Sequence, residues 1–272
     1  MLRKISSLLR LYRFDVLLLT FLAFLAGRAF TADVAPIHIL EALFISLLPY
    51  NFVYTLNSIT DVTEDRTNKP WRPLPSGTIT IREALCWLGF LGIASTTGII
   101  FLFRGAELLL AFLVLIIGAA YSVPPFELKK NSLTSFFTTG LGLVFPLFIA
   151  GGSKLLPFSL SMFLHILSVT VFKDIADTRG DLEAGRNSHS RLPLPVILVI
   201  SILLLSASAA GFLCFTGFKP AACIPAVNLF VLLFDIIFKK DRLSARIYTH
   251  LIIASAVSCP AVFICIEFFI KR

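Results

Sequence analysis

Carboxylate and amide side chains recur every fourth residue after the second long apolar run of the chain. Asn57, Asp61 and Asp65 would lie one above another on a single helix face, because residues four apart are neighbours on a helix. Their oxygen atoms are the ligands that hard divalent cations prefer. The spacing therefore predicts a metal-binding face at this helix end, whereas a merely solvated helix end is the alternative interpretation.

A second acidic cluster favours metal binding. Asp174, Asp177 and Asp181 fall at i, i+3 and i+7, which again places them on one helix face. The step from Asp177 to Asp181 repeats the step from Asp61 to Asp65 at an offset of 116 residues. Two clusters of like charge on the same side of the molecule would repel each other, so we expect divalent cations between them.

Basic side chains accompany the acidic clusters and indicate an anionic substrate. Metal ions on one side and Lys or Arg on the other can hold a multiply charged anion, and a diphosphate fits this arrangement. The 27 Phe residues of the chain suit an apolar substrate tail and an allylic cation. The candidate anion-binding residues are Arg66, Lys69, Arg72 and Lys173, with Arg13, Lys129 and Lys130 on the same predicted face.

The elements that must position these residues are membrane helices. Of 272 residues, 57% are hydrophobic and 15% charged, and the mean hydropathy is +0.89, whereas soluble domains average about 45–50% apolar and about 25% charged residues. We expect an all-α integral membrane protein with nine transmembrane helices in a single bundle, forming one domain over residues 1–272. The nine apolar runs cover residues 15–33, 37–59, 84–103, 106–123, 133–151, 155–173, 193–216, 220–238 and 247–270.

The repeated acidic step also indicates a weak internal duplication. The offset between the clusters corresponds to four of the predicted membrane helices, and an Arg and a pair of prolines follow each cluster. Self-similarity at a fixed offset is the sequence signature of a repeated unit. We therefore expect two related four-helix units within the bundle.

The distribution of Lys and Arg predicts the orientation in the membrane. With the N-terminus inside, 18 of the 24 Lys and Arg residues fall on the cytoplasmic side, which is the side that carries excess basic residues. Both acidic clusters are then cytoplasmic and the C-terminus lies on the opposite side. The net charge of +8 is explained by this topology and by lipid headgroups, so no nucleic-acid partner is expected. A removable signal peptide is also not expected, because no small-residue cleavage pattern follows the first apolar run.

The motifs together resemble the UbiA-type intramembrane prenyltransferases. The resemblance rests on Asn57, Asp61 and Asp65 followed by NKPWRPLPSG, on YSVPPFELK from Tyr121, and on KDIADTRGD from Lys173. It implies an all-helical bundle with a cytoplasmic active site and with Mg²⁺ bound by both acidic motifs. It also implies transfer of a prenyl group from its diphosphate to an acceptor, with no required protein partner.

The resemblance assigns roles to individual residues. The aspartates Asp61, Asp65, Asp177 and Asp181 would be essential for catalysis. The metal ligands would be Asn57, Asp61, Asp65, Asp174, Asp177 and Asp181, and the diphosphate would contact Arg72, Lys129 and Lys173, with Arg13 as an addition. Two positions depart from the family pattern: Val169 stands where relatives often have Tyr, and Phe14 where they often have Pro.

The acceptor stays open, as do other function classes. Relatives prenylate aromatic quinone precursors or a prenylglyceryl phosphate lipid. A CDP-alcohol phosphotransferase also uses membrane-face aspartates, but the DG, AR and G series that it needs does not precede Asp177. A cation-coupled transporter needs acids across the membrane, whereas nearly all acids here lie at helix ends on one face, with Asp235 as the one set within a helix. A purely structural protein leaves the paired motifs unexplained.

Overall fold

The computed structural model describes most of the chain. The described ranges are 14–31, 34–183, 192–215, 219–238 and 249–255, with isolated residues at 8, 11, 247, 258 and 262. Within these ranges the side chains of residues 14–15, 173–183 and 215 are not described.

The described residues form ten α-helices in sequence. They are α1 (Phe14–Thr31), α2 (Pro36–Leu47), α3 (Pro49–Thr60), α4 (Val62–Asn68), α5 (Ile81–Leu102), α6 (Gly105–Ser122), α7 (Ser132–Gly151), α8 (Leu156–Glu183), α9 (Leu194–Phe215) and α10 (Cys223–Phe238). Short 3-10 turns cover Leu128–Lys130, Gly152–Leu155 and Lys219–Ala222. Helical backbone also covers residues 249–255, which we call the 249–255 helix.

Six stretches of the described residues are long and apolar enough to cross a bilayer. They are Pro36–Thr60, Ile81–Leu102, Gly105–Ser122, Ser132–Phe172, Leu194–Cys214 and Lys219–Phe238, and Val16–Thr31 is a shorter apolar helix. An all-helical membrane protein is thus confirmed, while the number of nine spans stays a prediction.

The longest of these stretches is a helical hairpin. Ser132–Phe172 contains 41 residues, or about 60 Å of straight helix, which is twice the apolar thickness of about 30 Å. The chain turns at Gly152, whose φ of 60° is open to glycine but costly for other residues. Beyond the turn α8 returns along α7. The two helices pack closely at Gly140, where an added Cβ would lie 2.7 Å from Leu167 and 2.8 Å from Phe163 of α8.

The second predicted span, residues 37–59, is divided into α2 and α3. Pro49 has no N–H to donate to the preceding turn, so the helix is interrupted at Leu48, which has φ −109° and ψ −65°. Backbone bonds from Leu48 N–H to Phe44 O (3.0 Å) and from Phe52 N–H to Leu48 O (2.9 Å) keep the two helices connected. The two helices therefore still form one continuous span, Pro36–Thr60.

Buried apolar clusters join the helices. One cluster links α1, α2, α3, α5, α6 and α7, with Phe24, Ile45 and Ile99 fully buried. A second links α1 and α7 with α8, α9 and α10 through residues such as Leu147 and Phe212. A third lies between α8, α9, α10 and the 249–255 helix. Because α1 and α7 belong to both of the first two clusters, they connect the two sides of the bundle.

A charged network joins four helices far from the acidic motifs. The Arg28 guanidinium donates to Glu107 Oε1 and Oε2 (both 2.7 Å), to Glu41 Oε2 (3.0 Å) and to Ala150 O (3.3 Å). These contacts connect the end of α1 to α2, α6 and α7. The two carboxylates stabilise the positive charge of Arg28, whose side chain is only 12% exposed.

Candidate active site

The first acidic cluster lies at a break between α3 and α4. The α3 helix ends at Thr60, and Asp61 leaves helical geometry with φ −99° and ψ 9° before α4 begins. The backbone bonds nevertheless continue, from Asp61 N–H to Asn57 O (2.9 Å) and from Asp65 N–H to Asp61 O (2.8 Å). The predicted four-residue stripe is therefore preserved, although a regular helix does not run through it.

Asp61 accepts hydrogen bonds at both carboxylate oxygens. Asn57 Nδ2 donates to Oδ2 at 2.7 Å, and Lys129 Nζ donates to Oδ1 at 2.7 Å. The same ammonium group donates to Thr60 Oγ1 at 2.6 Å, and only 4% of the Lys129 side chain is exposed. Three residues predicted from the sequence, Asn57, Asp61 and Lys129, therefore meet in the structure.

Asp65 forms a second ion pair one turn further along. Arg72 donates from Nη1 to Asp65 Oδ2 at 2.6 Å, and Asp65 is buried. Burial raises the pKa of the Asp65 carboxyl, and the positive charges of Arg72 and Lys69 offset this effect only in part. A further cation beside Asp65 would therefore stabilise its ionised form.

The loop between α4 and α5 carries Arg72 to this position. Ser76 N–H donates to Arg72 O at 3.0 Å, and Ile79 N–H donates to Pro73 O at 3.2 Å. Leu74 and Ile79 are buried in a small apolar cluster with Leu11. These contacts hold the guanidinium over Asp65 beside a small cavity, which is lined by Leu11, Ser58, Asp65, Arg72, Pro73, Leu74 and Pro75.

Lys129 is positioned by the loop between α6 and α7. It lies in the 3-10 turn that follows Glu127, a residue with a left-handed φ of 37°. Asn131 then begins α7, with its side-chain oxygen accepting from Leu133 N–H (2.9 Å) and Thr134 N–H (3.3 Å). A capped helix start therefore follows the 3-10 turn that carries Lys129.

Two hydroxyl residues at the site were not predicted. Ser122 Oγ donates to Asn57 Oδ1 at 3.3 Å, which orients the amide so that its NH₂ group faces Asp61. Thr60 accepts from Lys129 as described above. Neither residue carries charge or an informative spacing, although Ser122 belongs to the YSVPPFELK block.

The other predicted site residues either lie at the end of α4 or have side chains that are not described. Arg66 is exposed in the last turn of α4, and Lys69 is half-buried directly after it. The backbone positions of Asp174, Asp177 and Asp181 lie within α8, which continues to Glu183 without the break seen at Asp61. Their side chains and that of Lys173 lie outside the described residues, as does Arg13 as a whole.

The donor set fits a hard divalent cation. Asn57, Asp61 and Asp65 supply only carboxylate and amide oxygens, the ligand chemistry of Mg²⁺ and Ca²⁺. Among the residues whose side chains are described, no group of three or more His, Cys, Asp and Glu converges.

The fold is that of a helical membrane protein, and its first acidic cluster pairs the carboxylates of Asp61 and Asp65 with Lys129 and Arg72. The chain belongs to the UbiA prenyltransferase family, whose sequence model matches residues 16–249. The resemblance inferred from the motifs is thereby confirmed.

Curated relatives include both aromatic and lipid prenyltransferases. The chain is 33% identical over 183 residues to 2-acyl-4-prenylphloroglucinol 6-prenyltransferase of Humulus lupulus, covering 62% of this chain and 44% of that protein. It is 32% identical over 160 residues to homogentisate phytyltransferase of Synechocystis sp., covering 50% and 48%. It is 32% identical over 193 residues to digeranylgeranylglyceryl phosphate synthase of Methanothrix thermoacetophila, covering 65% and 68%. The chain thus spans about half the length of the first two relatives.

Solved structures share the fold over nearly the whole chain. A UbiA homologue from Archaeoglobus fulgidus bound to GPP and Mg²⁺ superposes with a TM-score of 0.71 at 20% identity, covering 96% of this chain and 99% of that chain. A UbiA homologue from Aeropyrum pernix K1 gives a TM-score of 0.73 at 20% identity, covering 93% and 98%. At this level of identity the likeness shows the fold alone.

Proposed function

We propose that this protein transfers a prenyl group from an isoprenoid diphosphate to an acceptor in a Mg²⁺-dependent reaction. The observation that carries the proposal is the pairing within the first acidic cluster. Each carboxylate predicted to bind metal, Asp61 and Asp65, is bonded to a base predicted to bind diphosphate, Lys129 and Arg72 respectively. A metal cation can take the place of the base beside each carboxylate, and a diphosphate anion can take the place of the carboxylate beside each base. The two ligands together can therefore replace both ion pairs.

The chain's own residues supply the charges for ionisation of the donor. When Lys129 and Arg72 turn from the carboxylates to the diphosphate, they donate charge-assisted hydrogen bonds to its oxygens. These contacts strengthen as the C–O bond breaks and negative charge moves onto the leaving group. The ligands for the metal would be Asn57, Asp61, Asp65, Asp174, Asp177 and Asp181. Mg²⁺ held there would supply further charge stabilisation to the leaving diphosphate.

The relatives support this function and leave two acceptor classes. Curated relatives are named as prenyltransferases that act on phloroglucinol derivatives or homogentisate, or that form digeranylgeranylglyceryl phosphate. Structural neighbours are bound to GPP or DMAPP together with Mg²⁺. We therefore propose an aromatic quinone precursor or a prenylglyceryl phosphate lipid as the acceptor. Membranes supplied with both classes and a labelled donor would identify which one is prenylated.

We further propose that the N-terminus and both acidic motifs face the cytoplasm, with the C-terminus on the other side. The uneven distribution of Lys and Arg supports this orientation. Reporters fused after Ile81 and Arg191 should show a cytoplasmic location, and a reporter after Arg272 should show the opposite one. An external signal from either of the first two fusions would contradict the proposed side of the active site.

Substitution of the acids tests the proposed function. Asp61→Asn, Asp65→Asn, Asp177→Asn and Asp181→Asn should each nearly abolish prenyl transfer, because each keeps the side-chain shape but removes a charged oxygen ligand. The chelator EDTA should abolish transfer by the parent protein, and Mg²⁺ should restore it.

Glu64→Gln provides the matched control, since Glu64 lies on the same short helix one position away from the acidic stripe. Labelled product and thermal unfolding are measured on the same detergent preparations. Near-parental transfer without metal in the Asp61→Asn and Asp177→Asn variants would refute the proposal.

A further inference from the structure

The chain before α1 reaches the candidate active site through a leucine. Of the residues before α1 the structure describes Leu8 and Leu11, and Leu11 N–H donates to Leu8 O at 3.1 Å. Only 4% of Leu11 is exposed. Leu11 lines the small cavity beside the Asp65–Arg72 ion pair, together with Leu74 and the two prolines that flank it. The proposed metal and diphosphate chemistry makes no use of this leucine.

Leu11 belongs to an apolar cluster that joins the chain before α1 to the loop between α4 and α5. Leu74 and Ile79 of this loop are 7% and 2% exposed, and Ala84 near the start of α5 is fully buried. Partly buried residues that pack against the cluster are Leu8, Ile59 of α3, Val62 of α4 and Trp87 of α5. Because a buried leucine removes a large apolar area from water, Leu11 is a principal apolar contact of this loop.

The position of Arg72 depends on two kinds of contact. The ion pair with Asp65, at 2.6 Å, holds the guanidinium itself, whereas apolar burial holds the loop at Leu74, two residues further along the chain. In the proposed reaction Arg72 turns from Asp65 to the diphosphate, so the ion pair is lost when the donor binds. The apolar contact involves no charge and persists. Leu11 and its neighbours can therefore hold the loop while the guanidinium changes its partner.

We propose that Leu11 is a positioning residue for donor binding, which holds the loop at Leu74 so that Arg72 is already in place when the diphosphate arrives. This inference rests on the proposed function. Binding that must first order a loop or a long side chain loses affinity, and a loop that is ordered beforehand avoids this loss. Removal of the apolar contact therefore weakens donor binding. It leaves the chemical step nearly unchanged, because the metal ligands and Arg72 itself are kept.

Truncation of the leucine tests this role by separating KM from kcat. Leu11→Ala should raise the donor KM about tenfold, the effect of one side chain that must be ordered on binding, while kcat stays within about twofold of the parent. Leu11→Met keeps the apolar volume and should restore the parental KM. Leu155→Ala is the matched control, because Leu155 is 3% exposed and belongs to a different cluster, after the far end of α7. It should lower the unfolding temperature and leave the donor KM unchanged.

A double-mutant cycle shows whether Leu11 acts through Arg72. The cycle is measured as the Kd of inorganic diphosphate in the presence of Mg²⁺, so that variants without turnover can be included. In a protein that carries Arg72→Met the loop has no cation to position, and Leu11→Ala should then weaken diphosphate binding no further. An equal loss with and without Arg72 would overturn the inference. If Leu11→Ala does not fold, Leu74→Ala removes the same contact from the loop side and is judged by the same criterion.

Trp71 reports the order of the loop without any reaction. It directly precedes Arg72, it is 74% exposed, and Trp87 is the only other tryptophan of the chain. In a Trp87→Phe background the fluorescence anisotropy therefore comes from the loop alone. Leu11→Ala should lower this anisotropy, because the loop loses an apolar contact and moves more freely, whereas Leu155→Ala should leave it unchanged.

The two readouts distinguish this inference from the proposed function. A parent protein that binds no diphosphate and transfers no prenyl group would refute the proposed function, and the role of Leu11 in donor binding with it. In a parent that does transfer a prenyl group, an unchanged Trp71 anisotropy or a parental donor KM in folded Leu11→Ala would refute the positioning role alone.

Discussion

Replacement of Lys129 by methionine should have opposite effects on metal binding and on donor binding. In the absence of substrate the Lys129 ammonium bonds to Asp61 Oδ1 at 2.7 Å and therefore competes with a metal ion for this carboxylate. Lys129→Met keeps the length of the side chain and removes the competing charge. We expect metal to bind more tightly to the substrate-free variant, while the prenyl diphosphate binds more weakly because it loses a cationic contact.

The size of the effect follows from the pair that is lost. The side chains of Lys129 and Asp61 are 4% and 14% exposed, so solvent screens their contact only slightly. A hydrogen bond to a charged group contributes about 1.5–3 kcal/mol, and a tenfold change in affinity corresponds to about 1.4 kcal/mol. Metal affinity should therefore rise about tenfold to a hundredfold, and the KM for the donor should rise about tenfold or more.

Mn²⁺ titration followed by electron paramagnetic resonance measures metal affinity without donor, and steady-state transfer assays give the donor KM. Lys130→Met is the matched control, because Lys130 is the next residue and pairs at 2.6 Å with Glu127, but 63% of its side chain is exposed. Exposed ion pairs contribute about 0–1 kcal/mol, so this variant should change neither quantity. Metal affinity that falls in Lys129→Met, or that rises equally in both variants, would refute the proposed competition for Asp61.

The remaining predictions concern stability and are measured by thermal unfolding in detergent. Arg28→Ala should destabilise the protein by about 3–5 kcal/mol, because Glu41 then carries a buried, unpaired charge. Glu107→Gln should cost clearly less, because the Glu107 side chain is 36% exposed. Equal losses of stability in the two variants would contradict the assigned network. Gly27→Ala should cost about 1–3 kcal/mol, because its Cβ would lie 2.9 Å from a backbone oxygen of α7. Gly89→Ala, with no atom within 4 Å of the new Cβ, should be neutral or stabilising, and a loss like that of Gly27→Ala would show that helix packing is not the cause.

The helical membrane fold and the first acidic stripe could be predicted from the sequence because both depend on local periodicity. Apolar runs of span length identify membrane helices, and a four-residue step identifies a shared face. The stripe is kept even across the break at Asp61, since the backbone hydrogen bonds continue there. The interruption at Leu48 also has a local cause, which is Pro49. The prediction of one helix over residues 37–59 did not take this proline into account.

Contacts between distant segments could not be predicted in the same way. Ser122 is 65 residues from Asn57, and Lys129 is 69 residues from Thr60, so their hydrogen bonds depend on how α3 and the loop before α7 pack. Asp235 was recognised as the acid within a helix, but its pairing with His250 follows from the packing of two helices. Side-chain chemistry thus identified which groups to consider, while tertiary packing decided which of them meet.

The break at Asp61 lies between the two carboxylates that the first acidic cluster pairs with basic residues. Asp61 is attached through Lys129 to the loop before α7, whereas Asp65 is attached through Arg72 to the loop before α5. The position of each carboxylate therefore depends on a different loop, although the two residues are only four positions apart in the chain.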